Sequence, residues 1–269
     1  MGSRDALERI QGLWDELADF GAHETEAALM HSLRATSGLI DAQQAFWAGT
    51  VRLVSDGDPL GGWRLRALRR LHESDQDRQV LKQAQQYHEK RIVDPITAAQ
   101  ARLAGTWRAH LLREIAPPDF DKTAAYEVLY RSRGIHDAIF TGFPVNADAE
   151  SIFGWYRIGD PREPFTTGDR DVVTAVLRPL RWFHRQVMLG HGLLVAEAPL
   201  TVVERRLVSC LLTAWSEKEI AGQLSLTPAT THSYITALFR KFGVSGRPGL
   251  TALWLGRGPG IDPVRPPPD

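Results

Sequence analysis

The sequence predicts an α+β domain, an antiparallel sheet flanked by helices, followed by an all-α domain of four short helices. Three patterns carry this. Apolar residues recur at helical spacing through the first two segments of the chain. They then alternate in several short runs between residues 45 and 159. After Leu200 the helical period returns, broken up by repeated capping signals.

The opening helix is predicted from about Arg4 to Phe20 and a second from about Glu24 to Ser37. In AFWAGTVRL, Ala45, Trp47, Gly49, Val51 and Leu53 fall on one face. After the turn-rich SDGDPLGG, the run GWRLRAL alternates Trp63, Leu65 and Ala67 against Arg64, Arg66 and Leu68. Two alternating runs around a turn predict an antiparallel hairpin whose arginine face is wet or paired with acids. A helix is expected from Ser74 to about Ile92, then a turn or cap at Asp94-Pro95 and another helix through Ile115. Pro117-Pro118 breaks the chain, and a helix from Asp121 to Ser132 leads into strands over residues 136–145 and 151–159. A long helix closes the domain. Thr167 is its expected cap, Val173, Val176, Leu177, Leu180, Phe183 and Val187 its apolar stripe, and Pro179 its kink.

The boundaries expected are a sensor and dimerisation domain at 1–196, a second domain at 197–256, and a proline-rich tail at 257–269. The connecting stretch GLLVAEAPL is short enough to couple the two domains.

Composition narrows the function. The chain has 269 residues, 43% hydrophobic and 24% charged, with one cysteine, which excludes a disulfide framework and a cysteine-rich zinc site. No run approaches the ~18 apolar residues of a membrane helix, and the amino terminus has no apolar signal segment. No membrane partner is expected, and a cytoplasmic location is. There is no phosphate loop, nucleophile elbow or carboxylate pair on a shared face, so no enzyme, no cofactor and no metal are expected. His184, His191 and His232 are scattered, with solvated or capping roles expected, and Trp63, Trp155 and Trp182 read as core. The net charge is zero, yet residues 199–256 carry +3 and residues 1–198 carry −3. A small basic module behind an acidic one points towards nucleic acid.

That module punctuates itself. Thr201-Val-Val-Glu204 and Ser216-Glu-Lys-Glu219 are capping boxes. Val203, Leu207, Cys210, Leu211 and Ala214 make one apolar stripe. Thr227 suits an N-cap and Pro228 the first helical position. Gly243 suits a stop, and Ser245 a cap for the fourth helix. A short helix, a tight turn and a longer helix form a helix-turn-helix pattern. In its second helix Thr231, Ile235, Leu238, Phe239 and Phe242 face inward, while Ala229, Ser233, Thr236, Ala237 and Arg240 face outward. Small outward residues let a helix lie deep in a major groove. The competing reading is a helical hairpin that packs on a protein.

The segment LTVVERRLVSCLLTAWSEKEIAGQLSLTPATTHSYITALFRKFGVSGRPGLTAL resembles the LuxR-type helix-turn-helix, at Leu200-Thr201, Glu204, Ser216, Lys218-Glu219-Ile220-Ala221, Leu224, Leu226, Pro228, Thr230, Phe239, Lys241, Gly243-Val244 and Arg247. The resemblance implies a four-helix DNA-binding domain whose third helix enters the major groove and whose fourth helps form a homodimer. Double-stranded DNA is then the partner, through Lys218, Thr227, Thr230, His232, Ser233, Thr236, Arg240, Lys241 and Arg247. The chain departs from the family at Ala214-Trp215, where Gly-Leu is usual, at Thr231-His232, where Val-Lys is usual, at Tyr234, where a histidine is frequent, and at Thr236, where a basic residue is frequent. Fewer phosphate contacts mean weaker, salt-dependent binding.

The run from Ser151 to Leu180 is similar to the end of the sensor domain in many LuxR-type regulators, and the element order is that of PAS- or GAF-like sensors. The implied function is a ligand-responsive transcription regulator with an unknown small-molecule ligand. One branch binds acyl-homoserine lactones through aromatic residues and an Asp-Pro, for which the chain offers Tyr87, Asp94 and Trp107. The competing reading makes Asp94 a helix cap and the two aromatics core. The rival function is a protein-interaction regulator whose helix-turn-helix no longer binds DNA.

Overall fold

The computed structural model describes residues 3–53, 58, 60–72, 94–159, 163–194 and 199–257. The helix expected over 74–92, with Tyr87, lies outside the described residues, as do positions 195–198 of the linker and nearly all of the tail.

Two helices open the chain, α1 (Ser3–Asp19) and α2 (Thr25–Leu39). Strands β1 (Gln44–Arg52) and β2 (Trp63–Arg70) pair antiparallel as the alternation predicts. The strict alternation of β2 fails, because the register shifts between Gly49 and Thr50: Ala67 faces Gly49 while Leu65 faces Thr50. Leu65 is consequently 53% exposed, whereas Trp63 is buried.

The helix expected to run on to Ile115 is shorter. Helix α3 (Pro95–Arg102) stops, and Gly105 at φ +90° turns the chain into a short edge strand, β3 (Arg108–Leu111), followed by one turn, α4 (Leu112–Ile115). A glycine at positive φ is the local stop that helical periodicity hides. The helix expected over 121–132 is a 3-10 turn at Phe120–Lys122, then α5 (Ala124–Leu129), then a second 3-10 turn at Arg131–Arg133. Long strands β4 (Ile135–Asn146) and β5 (Ala149–Ile158) complete one antiparallel sheet of order β2-β1-β5-β4-β3.

Pro179 breaks the closing helix instead of kinking it. Two helices result, α6 (Thr167–Leu177), capped by Thr166 and not by Thr167, and α7 (Arg181–Gly190). The predicted stripe from Val173 to Val187 is buried throughout. With α1 and α2 it covers the sheet face that carries Trp47, Phe153 and Trp155. The other face carries Phe140 and Tyr156, packed with Ile96, Phe120 and Tyr130. Of the histidines expected in solvated or capping roles, two lie inside this domain, and His191 does cap α7. His184 is fully buried between Ser151 Oγ (2.8 Å) and the Leu177 carbonyl (3.1 Å), and burial brings its pKa down to about 3. His191 is 2% exposed. Trp182, expected in the core, is 38% exposed.

The remaining helices are α8 (Val202–Leu211), α9 (Glu217–Leu224), α10 (Pro228–Lys241) and α11 (Arg247–Trp254). Leu207, Cys210, Leu211, Ile220, Ile235, Leu238, Phe242, Leu250, Leu253 and Trp254 form their core. Val203 at 44% exposure and the exposed Ala214 fall outside the predicted stripe. The cap of α11 is Gly246, with no side-chain bond, so Ser245 does not cap it.

Candidate nucleic-acid interface and sensor face

The first two helices of the carboxy-terminal domain begin on reciprocal capping boxes. Thr201 Oγ accepts from the Glu204 amide (3.2 Å) while the Glu204 carboxylate accepts from the Thr201 amide (2.7 Å). Ser216 and Glu219 repeat the arrangement, and their bonds hold the Glu219 carboxyl below its ordinary pKa. The turn between α9 and α10 needs one left-handed residue, supplied by Ser225 at φ +56°. Thr227 then caps α10 through the Thr230 amide (3.1 Å), with Pro228 in the first turn, where a missing N–H costs nothing.

Helix α10 sorts its residues as its period requires. Thr231, Ile235 and Leu238 are buried, and Ala229, His232, Ser233, Thr236, Ala237 and Arg240 are exposed. Thr227 and Lys218 are exposed beside that face, and Thr230 is half-buried with its hydroxyl 2.8 Å from that of Thr227. Tyr234 stands 44% exposed at the edge of the helix, a large ring that the sequence reading did not place among the outward residues.

The candidate cations divide into two groups. Arg240 and Lys218 are exposed. Lys241 instead bridges the Glu204 carboxylate at 2.9 and 3.1 Å, and Arg247 donates to the Trp215 carbonyl at 2.6 Å. Burial works against ionisation of Glu204, but the Thr201 amide and Lys241 outweigh it and lower its pKa. His232 Nδ1 lies 3.1 Å from the Glu217 carboxylate, which sets an acid beside the exposed face of α10.

In the sheet domain, Asp94 caps α3, accepting from the Ile96 (3.3 Å) and Thr97 (3.0 Å) amides. Burial nonetheless raises its pKa, and its charge acts on two buried phenols, Tyr130 and Tyr156. Trp107 packs edge-on against Phe143 at 6.1 Å in the core between sheet and outer helices, across the sheet from Tyr130 and Tyr156. Asp94 and Trp107 are therefore not brought together. Sequence reading missed a ring cluster built from distant segments. Phe140 and Tyr156 meet at 6.2 Å, Phe120 and Tyr130 at 5.3 Å, and Phe46 lies over Gly154, where a Cβ would sit 2.2 Å from its ring. The two inward-facing glycines of β4 and β5 were the available signal. Beyond Gly142 lies Arg108, paired at 2.8 Å with Glu150, both at most 5% exposed.

The family model for bacterial regulatory proteins of the luxR family (GerE) matches residues 198–254. No curated protein matches the chain. Among solved structures, SdiA of Escherichia coli aligns at 12% identity over 95% of this chain and 99% of that one, with a TM-score of 0.46. CepR2 of Burkholderia cenocepacia, described as an N-acylhomoserine lactone dependent LuxR family transcription factor, aligns at 16% identity over 68% and 96%, with a TM-score of 0.48. The LBD domain of VqsR from Pseudomonas aeruginosa aligns at 13% identity over 70% and 98%, with a TM-score of 0.41. Behind its sheet domain the chain thus carries, at residues 198–254, a segment that matches the luxR-family model and folds as its helix-turn-helix.

Proposed function

We propose that the protein is a ligand-responsive transcription regulator that binds DNA as a homodimer, with α10 in the major groove. The observation that carries this is the exposed face of α10, small at Ala229, Ser233, Thr236 and Ala237 and flanked by Arg240 and Lys218. Small residues allow close approach to base edges, hydroxyls serve as donors and acceptors, and the cations attract the backbone. Tyr234 supplies an apolar edge suited to a thymine methyl. Lys241 and Arg247 position helices and leave the phosphates to Lys218 and Arg240.

The dimer surface is the outer side of α11. An open groove of about 560 Å³ runs there, lined by Arg247, Pro248, Thr251, Ala252, Leu255 and Arg257, with Leu255 70% exposed. Trp254, on the same helix, is 6% exposed within its own chain and lies outside that surface. The ligand site is the ring-lined face around Asp94, Tyr130 and Tyr156. Its chemistry suits a neutral, partly apolar molecule with an amide or carbonyl, the class that includes acyl-homoserine lactones.

A gel-shift selection against genomic fragments, repeated at low and moderate salt, tests the main reading. Recovery of one sequence class, bound more weakly as salt rises, is the expected result, and Ser233→Glu abolishes it in a folded protein. A folded chain that selects no sequence at low salt leaves the protein-interaction reading, which the Glu217–His232 pair on the α10 face favours.

A further inference from the structure

The seam between the sensor and the helix-turn-helix is closed by contacts of several kinds. Leu189, at the end of α7, lies within the apolar core of the carboxy-terminal helices, and Ala22 and Leu194 pack on that core. The Leu200 amide donates to the His191 carbonyl at 3.0 Å. Arg185, one turn before Leu189, reaches across 68 residues of sequence and donates Nη2 to the Leu253 carbonyl. That carbonyl belongs to the last turn of α11, where it also accepts from the Gly256 amide at 3.1 Å and where a cation meets the negative end of the helix dipole. Beyond it the chain turns at Gly256, φ +81°, where a Cβ would stand 2.6 Å from Arg185 Nη1.

A second set of contacts lies behind the first. Glu26 on α2 accepts from Arg69 Nε at 2.6 Å and lies 3.4 Å from His191 Nε2. Although burial opposes it, these partners hold the Glu26 carboxyl at about 2. Arg205 of α8 sits in the field of both Glu26 and Arg69. A small pocket of about 20 Å³ on this seam, lined by Glu26, His191, Arg205 and Trp254 among others, is large enough for about one water. The exposed face of α10 is not part of this seam.

We propose that Arg185 is a positioning residue for DNA reading: it latches the fourth helix of the DNA domain to the last sensor helix of the same chain, and so fixes the direction in which α10 points. Sensor and DNA domain then move as one body. A displacement of α7 is transmitted to α11 and, through the Phe242–Trp254 contact at 5.9 Å, to the end of α10. The latch leaves the DNA face open, so it acts on the spacing of two recognition helices and not on access to one. The spacing consequence rests on DNA binding as proposed above. The latch itself does not.

The test uses the full chain in a Cys210→Ser background, spin-labelled at Leu103→Cys and Gln223→Cys, with double electron–electron resonance as the readout. One narrow distance distribution is expected. Arg185→Met keeps much of the packing, loses the donor and broadens the distribution, and Arg185→Lys narrows it again. Gly256→Val, which crowds the guanidinium from the other side, reproduces the broadening without touching the sensor, and it decides the matter if Arg185→Met fails to fold. In DNA titrations the preference of the unlabelled protein for one half-site spacing, about tenfold, falls close to unity in Arg185→Met while affinity for an isolated half-site is kept. A broad distribution in the starting protein, or a narrow and unchanged one in the folded variants, overturns the latch. A latch that behaves as expected in a chain that binds no DNA overturns only the DNA reading.

Discussion

Lys241 offers the sharpest separation between holding a fold and touching DNA. Its ammonium bridges both Glu204 oxygens at 2.9 and 3.1 Å, and both side chains are about three-quarters covered, at 24% and 26% exposure. Replacement by Met keeps the aliphatic stem and removes only the charge. At about 3 Å and an effective dielectric of about 20, the bare attraction is about 5 kcal/mol. Desolvation and side-chain ordering cancel most of it, and solvent screening at this exposure reduces it further, so the expected loss of domain stability is about 1 kcal/mol. Glu204 stays bonded to the Thr201 amide, so its charge is not orphaned. The pH dependence has a definite sign. Glu204 has a lowered folded pKa, so its contribution is present above its ordinary value of 4.5 and is lost as pH falls below it. Lys241→Met weakens that acid-side loss. Urea unfolding gives the stability, and the slope of log affinity against log salt gives the number of phosphate contacts. Lys241→Met is expected to lower stability and leave the slope unchanged. Lys218→Met is expected to do the reverse, reducing the slope by about 0.9. A stable Lys241→Met protein with a slope reduced by that amount would refute the assignment.

Three further outcomes follow from buried groups. His184 has its folded pKa lowered from 6.5 to about 3, so the unfolded chain binds the extra proton first and stability falls as pH drops below 6.5. The loss reaches about 2 kcal/mol by pH 5, and thermal unfolding of a folded His184→Gln protein should show a flatter acid limb; an unaltered limb would count against the buried, neutral ring. Gly154→Ala drives a methyl into the Phe46 ring and should cost about 1–3 kcal/mol in denaturant melts, whereas Gly12→Ala, which meets nothing within 4 Å, should be neutral or stabilising. Trp254→Ala empties a site that is 6% exposed and should cost about 3–5 kcal/mol; a folded variant with unchanged stability but weakened self-association would place Trp254 on the dimer surface.

The order and punctuation of the helix-turn-helix were legible in the sequence, because their determinants are local. Each capping box spans four residues, Pro228 declares a first turn, and Gly243 at φ +64° declares a stop. The β1–β2 and β4–β5 hairpins were legible for the same reason, since each pairs neighbouring segments. The edge strand β3 was not: four residues, RAHL, are too few to establish a period, and they become a strand only because β4 offers hydrogen-bonding partners from Gly142 to Ile139.

Charge and burial were decided further still from local sequence. Nothing around His184 distinguishes it from a solvated histidine until β5 places Ser151 against it, and nothing around Lys241 distinguishes a phosphate contact from a clasp on Glu204, 37 residues earlier. The sequence by itself therefore determined the helices that cap themselves, the hairpins that fold on themselves and the kind of DNA-binding domain they build. Only the tertiary structure decided which cations remain exposed, which aromatic rings cluster on one face of the sheet and how the two domains meet. Those properties depend on the desolvation and pairing of groups far apart in the chain, and a hydrophobic period records only which face of an element is turned inward, not what it finds there.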